Sequence, residues 1–286
     1  MSNRRNTYLQ LVSTIIFFNI LIYASVPAAA QDSSSITIPY SAHHTPESPN
    51  FYYEEALKLA LAKTEPAYGK INLKFYPFAT GRDRQSAILK TNGGLDLIWD
   101  SSSQLREVNM LAIKFNLLRE LSDYKILVIR KEDKEKFATV RRLSDLRKFK
   151  AGTVSEWQDT KILQLNSMPY IAYAEPEQLF KMLTSKRVNY TMRGPQEIWP
   201  ELEQHQDLLL IAEEKLLIRY KRPVYFFVHP KNAKLAERIK KGLALAEKDG
   251  SLKKLFMSLP AFKKGLEEIT KKQKTVINLD EGDGFE

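Results

Sequence analysis

In LDLIWDSSSQLRE, residues 95–107, an apolar run ends and Trp99, Asp100, Ser101, Ser103 and Arg106 follow within eight positions. A guanidinium placed there can pair bidentately with a carboxylate, and such charge-assisted bonds are about twice as strong as neutral ones. The hydroxyls add donors, and Asp100 is either an acceptor or a proton-transfer group. A second polar exit follows RVNYTM, where Arg193 is succeeded by Glu197 four positions on. If a helix follows, those two meet on one face. Arg193 therefore reads either as a ligand cation or as half of a structural ion pair, and Arg106 has the same alternative in Glu107 or Glu120. Trp157 and Gln158 lie at a helix start, where free backbone N–H groups favour anions. Arg82, just after Gly81, heads another helix; Trp99 also reads as core filler, because it continues LIW.

The elements that must position these residues alternate. SITIPYSA is a strand ending near Tyr40, and NFYYEEALKLALAKT is a helix with Tyr53, Leu57, Ala60 and Leu61 on one face. Ser48 followed by Pro49 marks its start. INLKFYPF alternates Ile71, Leu73 and Phe75 as a second strand, RDRQSAILKTNGG is a helix closed by glycines, and LDLIW is strand three. Parallel strands joined by helices bind ligands beyond their carboxyl ends, where residues 100–106 fall. The alternation resumes with YKILVIRK, FKAGTV, the helix start SEWQDTKIL, YIAYA, the helix PEQLFKMLTS and RVNYTM. PVYFFVHP then precedes a tail, NAKLAERIKKGLALAEKDG to AFKKGLEEITKK, that reads as helix only.

Composition narrows the possibilities. The chain has no cysteine, which excludes disulfides, a thiol nucleophile and a lipoprotein anchor. Arg4, Arg5, the apolar run LVSTIIFFNILIY and ASVPAAAQ read as a cleavable export signal over residues 1–30, with an uncleaved anchor as the rival reading. Removal leaves about 256 residues, enough for two lobes. The net charge of +10 is concentrated in residues 231–274, which hold 13 Lys or Arg against 5 acids. That segment reads as a solvated helical face, with an anionic partner as the alternative. His43, His44, His205 and His229 lack metal-site spacing, and neither a nucleophile elbow nor a phosphate loop occurs.

LDLIWDSSSQLRE, LSDLRKFKAGTVSE, LFKMLTSKRVNYTM and KGLALAEKDGSLKKLF together resemble the type II periplasmic solute-binding proteins, specifically the family 3 class that includes polar amino-acid receptors. The resemblance implies an α/β fold of two lobes, each a mixed sheet flanked by helices, joined by two hinge strands, YKILVIRK and RPVYFFV. Lobe I would be 31–123 plus 223–286, and lobe II 124–222. It implies that Arg106 grips a ligand carboxylate with Ser101 to Ser103 nearby. In that class an aspartate at the end of the lobe II strand binds the α-ammonium; here Arg193 or Gly194 stands there, unless Asp100 or Glu197 replaces the charge.

The expectation is a periplasmic, non-enzymatic, monomeric solute-binding protein without cofactor, metal or nucleic-acid partner, which delivers its ligand to an inner-membrane permease. Its ligand would be small, polar and anionic, held between Arg106 and Arg193, assisted by Arg82, Asp100, Ser101, Ser103 and Glu197, with Trp99, Tyr40 and Trp157 as walls. Two alternatives stay open: a degenerate relative that binds a membrane, cell-wall or protein partner through its basic C-terminal helices, and a lyase or dehydratase using Glu197 or Asp100 as general acid.

Overall fold

The computed structural model describes residues 34–41, 44–48 and 50–282. The export signal, His43 and Pro49 lie outside them. The first run is β1 (Ser34–Ile38), α1 (Phe51–Tyr68), β2 (Ile71–Phe75), α2 (Arg82–Lys90), β3 (Leu97–Ser101), α3 (Gln104–Asn109) and β4 (Leu111–Ile113). The second comprises β5 (Tyr124–Arg130), α4 (Lys134–Phe137), α5 (Leu143–Leu146), β6 (Ala151–Val154), α6 (Gln158–Leu165), β7 (Tyr170–Tyr173), α7 (Gln178–Thr184), β8 (Tyr190–Arg193), α8 (Ile198–Gln204), β9 (Leu210–Ala212) and β10 (Leu216–Arg219). The chain then returns through β11 (Val224–Val228), α9 (Ala233–Lys248), α10 (Ser251–Ser258) and α11 (Pro260–Ile269), and ends in β12 (Thr275–Asn278).

Lobe I is built on β1 parallel to β2 and on β11 antiparallel to both β3 and β4. Where β1 and β3 meet, Asp96 does the joining: its N–H donates to the Thr37 carbonyl (2.9 Å) and its carboxylate accepts from the Thr37 N–H (2.7 Å). The side chain thus satisfies a backbone group that a diverging ladder would leave without a partner. Tyr52, Tyr53, Ala56, Leu57, Ala60 and Leu61 are buried on one face of α1, as their three- and four-residue spacing requires. That face packs on α9, and the approach is close: a Cβ at Gly242 would stand 2.0 Å from the Ala60 carbonyl oxygen.

Lobe II is one mixed sheet in the order β12-β10-β5-β8-β6-β7, with β9 also on β5. Its central strand β5 is buried from Ile126 to Arg130, as expected of a strand covered on both faces. The two lobes are joined where β5 and β11 begin. There the Tyr220 N–H donates to the Asp123 carbonyl (3.0 Å), and the Ser102 N–H donates to the Pro223 carbonyl (2.7 Å). From this pair of crossings β5 runs into one lobe and β11 into the other.

The C-terminal tail departs from the expectation. It is not helix only, and its end does not stay in lobe I: β12 pairs in parallel with β10, Leu216 opposite Thr275 through Arg219 opposite Asn278. The β-branched run Thr275-Val276-Ile277 favours a strand, and Ile277 and Leu279 complete the lobe II core around Leu216, Ile218 and Tyr220.

Candidate functional site

Between the lobes lies a cleft of about 590 Å³. Lobe I contributes Tyr53 from α1, Arg82 at the head of α2, Asp100 and Ser101 at the end of β3, and Arg106 from α3. Lobe II contributes Lys125 at the start of β5, Glu156 to Asp159 after β6, Arg193 at the end of β8, and the turn into α8 that carries Gln196, Glu197 and Trp199. A smaller chamber of about 70 Å³ continues it toward the crossing segments, between Leu121, Lys125, Arg222 and Val224. Both β3 and β8 thus deliver their carboxyl ends to one cleft, the place where open α/β sheets bind ligands.

On the lobe I wall, Ser103 caps α3: its hydroxyl accepts from the Arg106 N–H (3.3 Å), which fixes where the arginine leaves the backbone. The Arg106 side chain is only 6% exposed, and its Nη2 lies 2.7 Å from Asp100 Oδ2. Its Nη1 donates to the Ser101 carbonyl (3.4 Å). Glu107, an alternative partner in the sequence, instead pairs with Lys114 (2.8 Å) and accepts from the Ser102 hydroxyl. Trp99 is buried and stacks on Tyr53 with ring centroids 5.6 Å apart, so it supports the floor of the smaller chamber. Arg82 Nη1 donates to the Trp99 carbonyl (2.6 Å), and its guanidinium makes no ion pair within 4 Å among the described residues.

The lobe II wall is more tightly tied. Arg193 Nε donates to Glu201 Oε2 (2.7 Å), its Nη2 bonds the other Glu201 oxygen and lies 3.4 Å from Glu197, and its guanidinium covers the Trp157 ring at 4.6 Å. Burial pushes the Glu197 carboxyl up, but Arg193, Lys125, the Gly194 N–H and Arg82 outweigh it and hold the group below the usual carboxylate range. Deeper in, Asp159 accepts from the Tyr220 hydroxyl (2.8 Å) and lies 3.4 Å from Lys125 Nζ.

The walls also touch directly. Glu156 of lobe II accepts from the N–H groups of Arg82 (3.3 Å) and Asp83 (3.4 Å) at the amino end of α2. Gly81 makes room for it, since a Cβ there would stand 2.8 Å from the Glu156 carboxylate. On the other side Lys264 of α11 sits 3.9 Å over the Trp199 ring.

Of the ten residues singled out in the sequence, Arg82, Asp100, Ser101, Arg106, Trp157, Arg193 and Glu197 line the larger cleft. Trp99 lines only the smaller chamber, and Ser103 and Tyr40 line neither. Sequence reasoning did not find Tyr53, Lys125, Glu156, Asp159, Gln196, Trp199 or Glu201. Two of them had a signal: Glu156 and Asp159 follow β6 as Asp100 follows β3. Among the cleft-lining side chains, Arg106 Nε, Gln196 Oε1 and Trp199 Nε1 are enclosed without a hydrogen-bond partner, as is Asp100 Oδ2, which is ion-paired with Arg106. Such orphans each cost about 1–3 kcal/mol, so each calls for a compensating partner.

Two α/β lobes joined by paired crossing strands, with a polar cleft at the strand ends, define the type II periplasmic binding protein fold. No protein-family model matches the chain, and no curated protein does. Among solved structures, an ancestral arginine-binding protein bound to glutamine is similar with a TM-score of 0.61 at 16% identity, over 80% of this chain and 98% of its own. The probable amino-acid ABC transporter extracellular-binding protein ytmK from Bacillus subtilis has a TM-score of 0.59 at 17% identity, over 80% and 99%. An ancestral amino acid-binding protein described as a precursor of cyclohexadienyl dehydratase has 0.58 at 12%, over 79% and 95%. At these identities the likeness shows the fold.

Proposed function

We propose that this chain is an exported solute-binding protein that closes its lobes on a small polar ligand with an anionic group and delivers it to a membrane permease. The observation that carries the reading is Arg106: buried in the cleft wall, anchored through Nη2 to Asp100, with Nε directed to no protein acceptor. An anionic oxygen would complete the guanidinium fork, and Arg82, whose guanidinium makes no ion pair among the described residues, stands on the same lobe. The similar structures, whose names describe binding of amino acids, support a ligand of that size class. A thermal-shift screen of amino acids, dicarboxylates and short peptides tests it; stabilisation by cationic compounds alone would sink the anionic assignment.

The dehydratase alternative needs a protonated acid at neutral pH. The cations around Glu197 hold its carboxyl below the usual carboxylate range, which disfavours it as a general acid, and Asp100 is committed to an ion pair with Arg106. The partner-binding alternative draws on exposed Lys234, Lys240, Lys253 and Lys254 of α9 and α10, and it requires that changes at Arg106 leave function intact.

A further inference from the structure

This inference rests on the solute-binding reading and concerns the ligand's length and polarity. The cleft has two electrically different ends. In the chamber at the crossing segments Arg82, Lys125 and Arg222 face Asp100 and Glu197, three cations to two acids. Arg106 and Asp159 border that chamber, Arg106 on Asp100 and Asp159 on Lys125; the other residues that line only the larger cleft include two cations, Arg193 and Lys264, and four acids, Glu47, Glu156, Glu201 and Glu203. Two of those acids, Glu47 and Glu203, are exposed at the rim and make no ion pair among the described residues. Potential along the cleft therefore runs from positive at the crossings to negative at the rim. A free α-amino acid carries its ammonium and α-carboxylate on one carbon, and that pair cannot exploit the separation. A ligand with a carboxylate at one end and an ammonium at the other can.

Two orphaned side-chain atoms of lining residues, one at the chamber and one in the larger cleft, have an amide's complement. Gln196 Oε1 needs an N–H, and Trp199 Nε1–H needs a carbonyl. A peptide bond presents both. The volume, about 590 Å³, falls in the range of about 300–1,000 Å³ for sites enclosing drug-sized ligands, and Trp157, Trp199, Pro200 and Phe262 offer apolar surface for side chains. We propose that the ligand is a short peptide of about two or three residues, at about 3.5 Å per residue, lying with its C-terminal carboxylate toward Arg82 and Arg106 and its N-terminal ammonium toward Glu47 and Glu203.

Calorimetric titration tests this with alanine, aspartate, glutamate, and di- and tripeptides carrying alanine, leucine or lysine side chains. The best peptide should bind at least tenfold more tightly than any free amino acid. N-acetylation or C-amidation of it should each weaken binding severalfold. In the rim variant Glu47→Gln/Glu203→Gln, which touches no buried group, the free peptide should weaken severalfold and its acetylated form should not. A free amino acid binding as tightly as every peptide, or an acetyl group without effect, would overturn the peptide assignment while leaving the solute-binding reading standing. Absence of binding by peptides, amino acids and dicarboxylates alike would overturn both.

Discussion

The two walls of the cleft each present an arginine just past a strand end, and the two are held differently. Arg193 is tied into its own wall: Nε and Nη2 both bond Glu201, Nη2 approaches Glu197, and the planar face lies on Trp157. Arg106 is anchored at Nη1 and Nη2 but keeps Nε without a partner, although it is more deeply buried. A guanidinium has five donors in a rigid fork, so what bears on its role is which of them the protein itself consumes: Arg193 gives its Nε–Nη2 edge to one carboxylate, whereas Arg106 spends Nη1 and Nη2 on separate groups. On the proposed reading the lobe II arginine holds a wall together and the lobe I arginine meets the ligand. In place of an anion held between Arg106 and Arg193, we propose a site that relies on Arg106.

The largest effect should come from Arg193, the arginine tied to two carboxylates of its own wall. Arg193→Met leaves Glu201 and Glu197 without their cation; breaking a fully buried pair costs about 3–5 kcal/mol, and partial exposure of the two acids brings the expected loss to about 2 kcal/mol in urea denaturation. A neutral result would erase the distinction between the walls. Next is Arg106→Lys, which keeps the charge facing Asp100 and removes the fork. Ligand affinity should fall about tenfold or more, the equivalent of one charge-assisted hydrogen bond at about 1.5–3 kcal/mol. The urea midpoint should barely move.

Glu156→Ala should act more weakly, because a carboxylate at a helix amino end contributes about 0.3–1 kcal/mol. Loss of this contact between the lobes should enlarge the ligand-free radius of gyration in small-angle scattering and slightly raise the ligand dissociation constant. An unchanged scattering profile would show that the contact does not hold the lobes together. The smallest effect is on acid stability. The folded Glu197 carboxyl lies below its unfolded value of about 4.3, so its contribution is complete above that pH and is lost as pH falls through the lowered folded value. Arg193→Met should make that acid loss shallower, whereas Arg106→Lys should not.

Much of this architecture was legible in the sequence. The faces of α1 and α9 repeat at helical spacing, and β5 and β11 are apolar runs that no exposed loop would carry. The short strands β4, β9, β10 and β12 were not legible, because three or four residues hold too little periodicity, and only partners such as Leu216 opposite Thr275 reveal them. In the site, Asp100, Ser101 and Arg106 announced themselves by following an apolar strand, and Glu197 by standing four residues after Arg193. Glu201 stands eight residues after Arg193, and Glu156 is 74 residues from the Arg82 N–H that it accepts from. Pairings of that kind arise from folding and leave no mark in spacing. Gln196 and Trp199 are ordinary residues by type; what distinguishes them is burial without a hydrogen-bond partner.

The central claim is that Arg106, and not Arg193, carries ligand recognition. The most direct measurement is the melting temperature of the wild type, Arg106→Lys and Arg193→Lys across one panel of amino acids, dicarboxylates and short peptides. A ligand at a hundredfold its dissociation constant stabilises by about 2.7 kcal/mol, which corresponds to about 5–10 °C for a chain of this size. The account predicts such a shift for at least one compound in the wild type, its retention in Arg193→Lys despite a lower starting temperature, and its loss in Arg106→Lys. A shift that survives in Arg106→Lys and disappears in Arg193→Lys would contradict it.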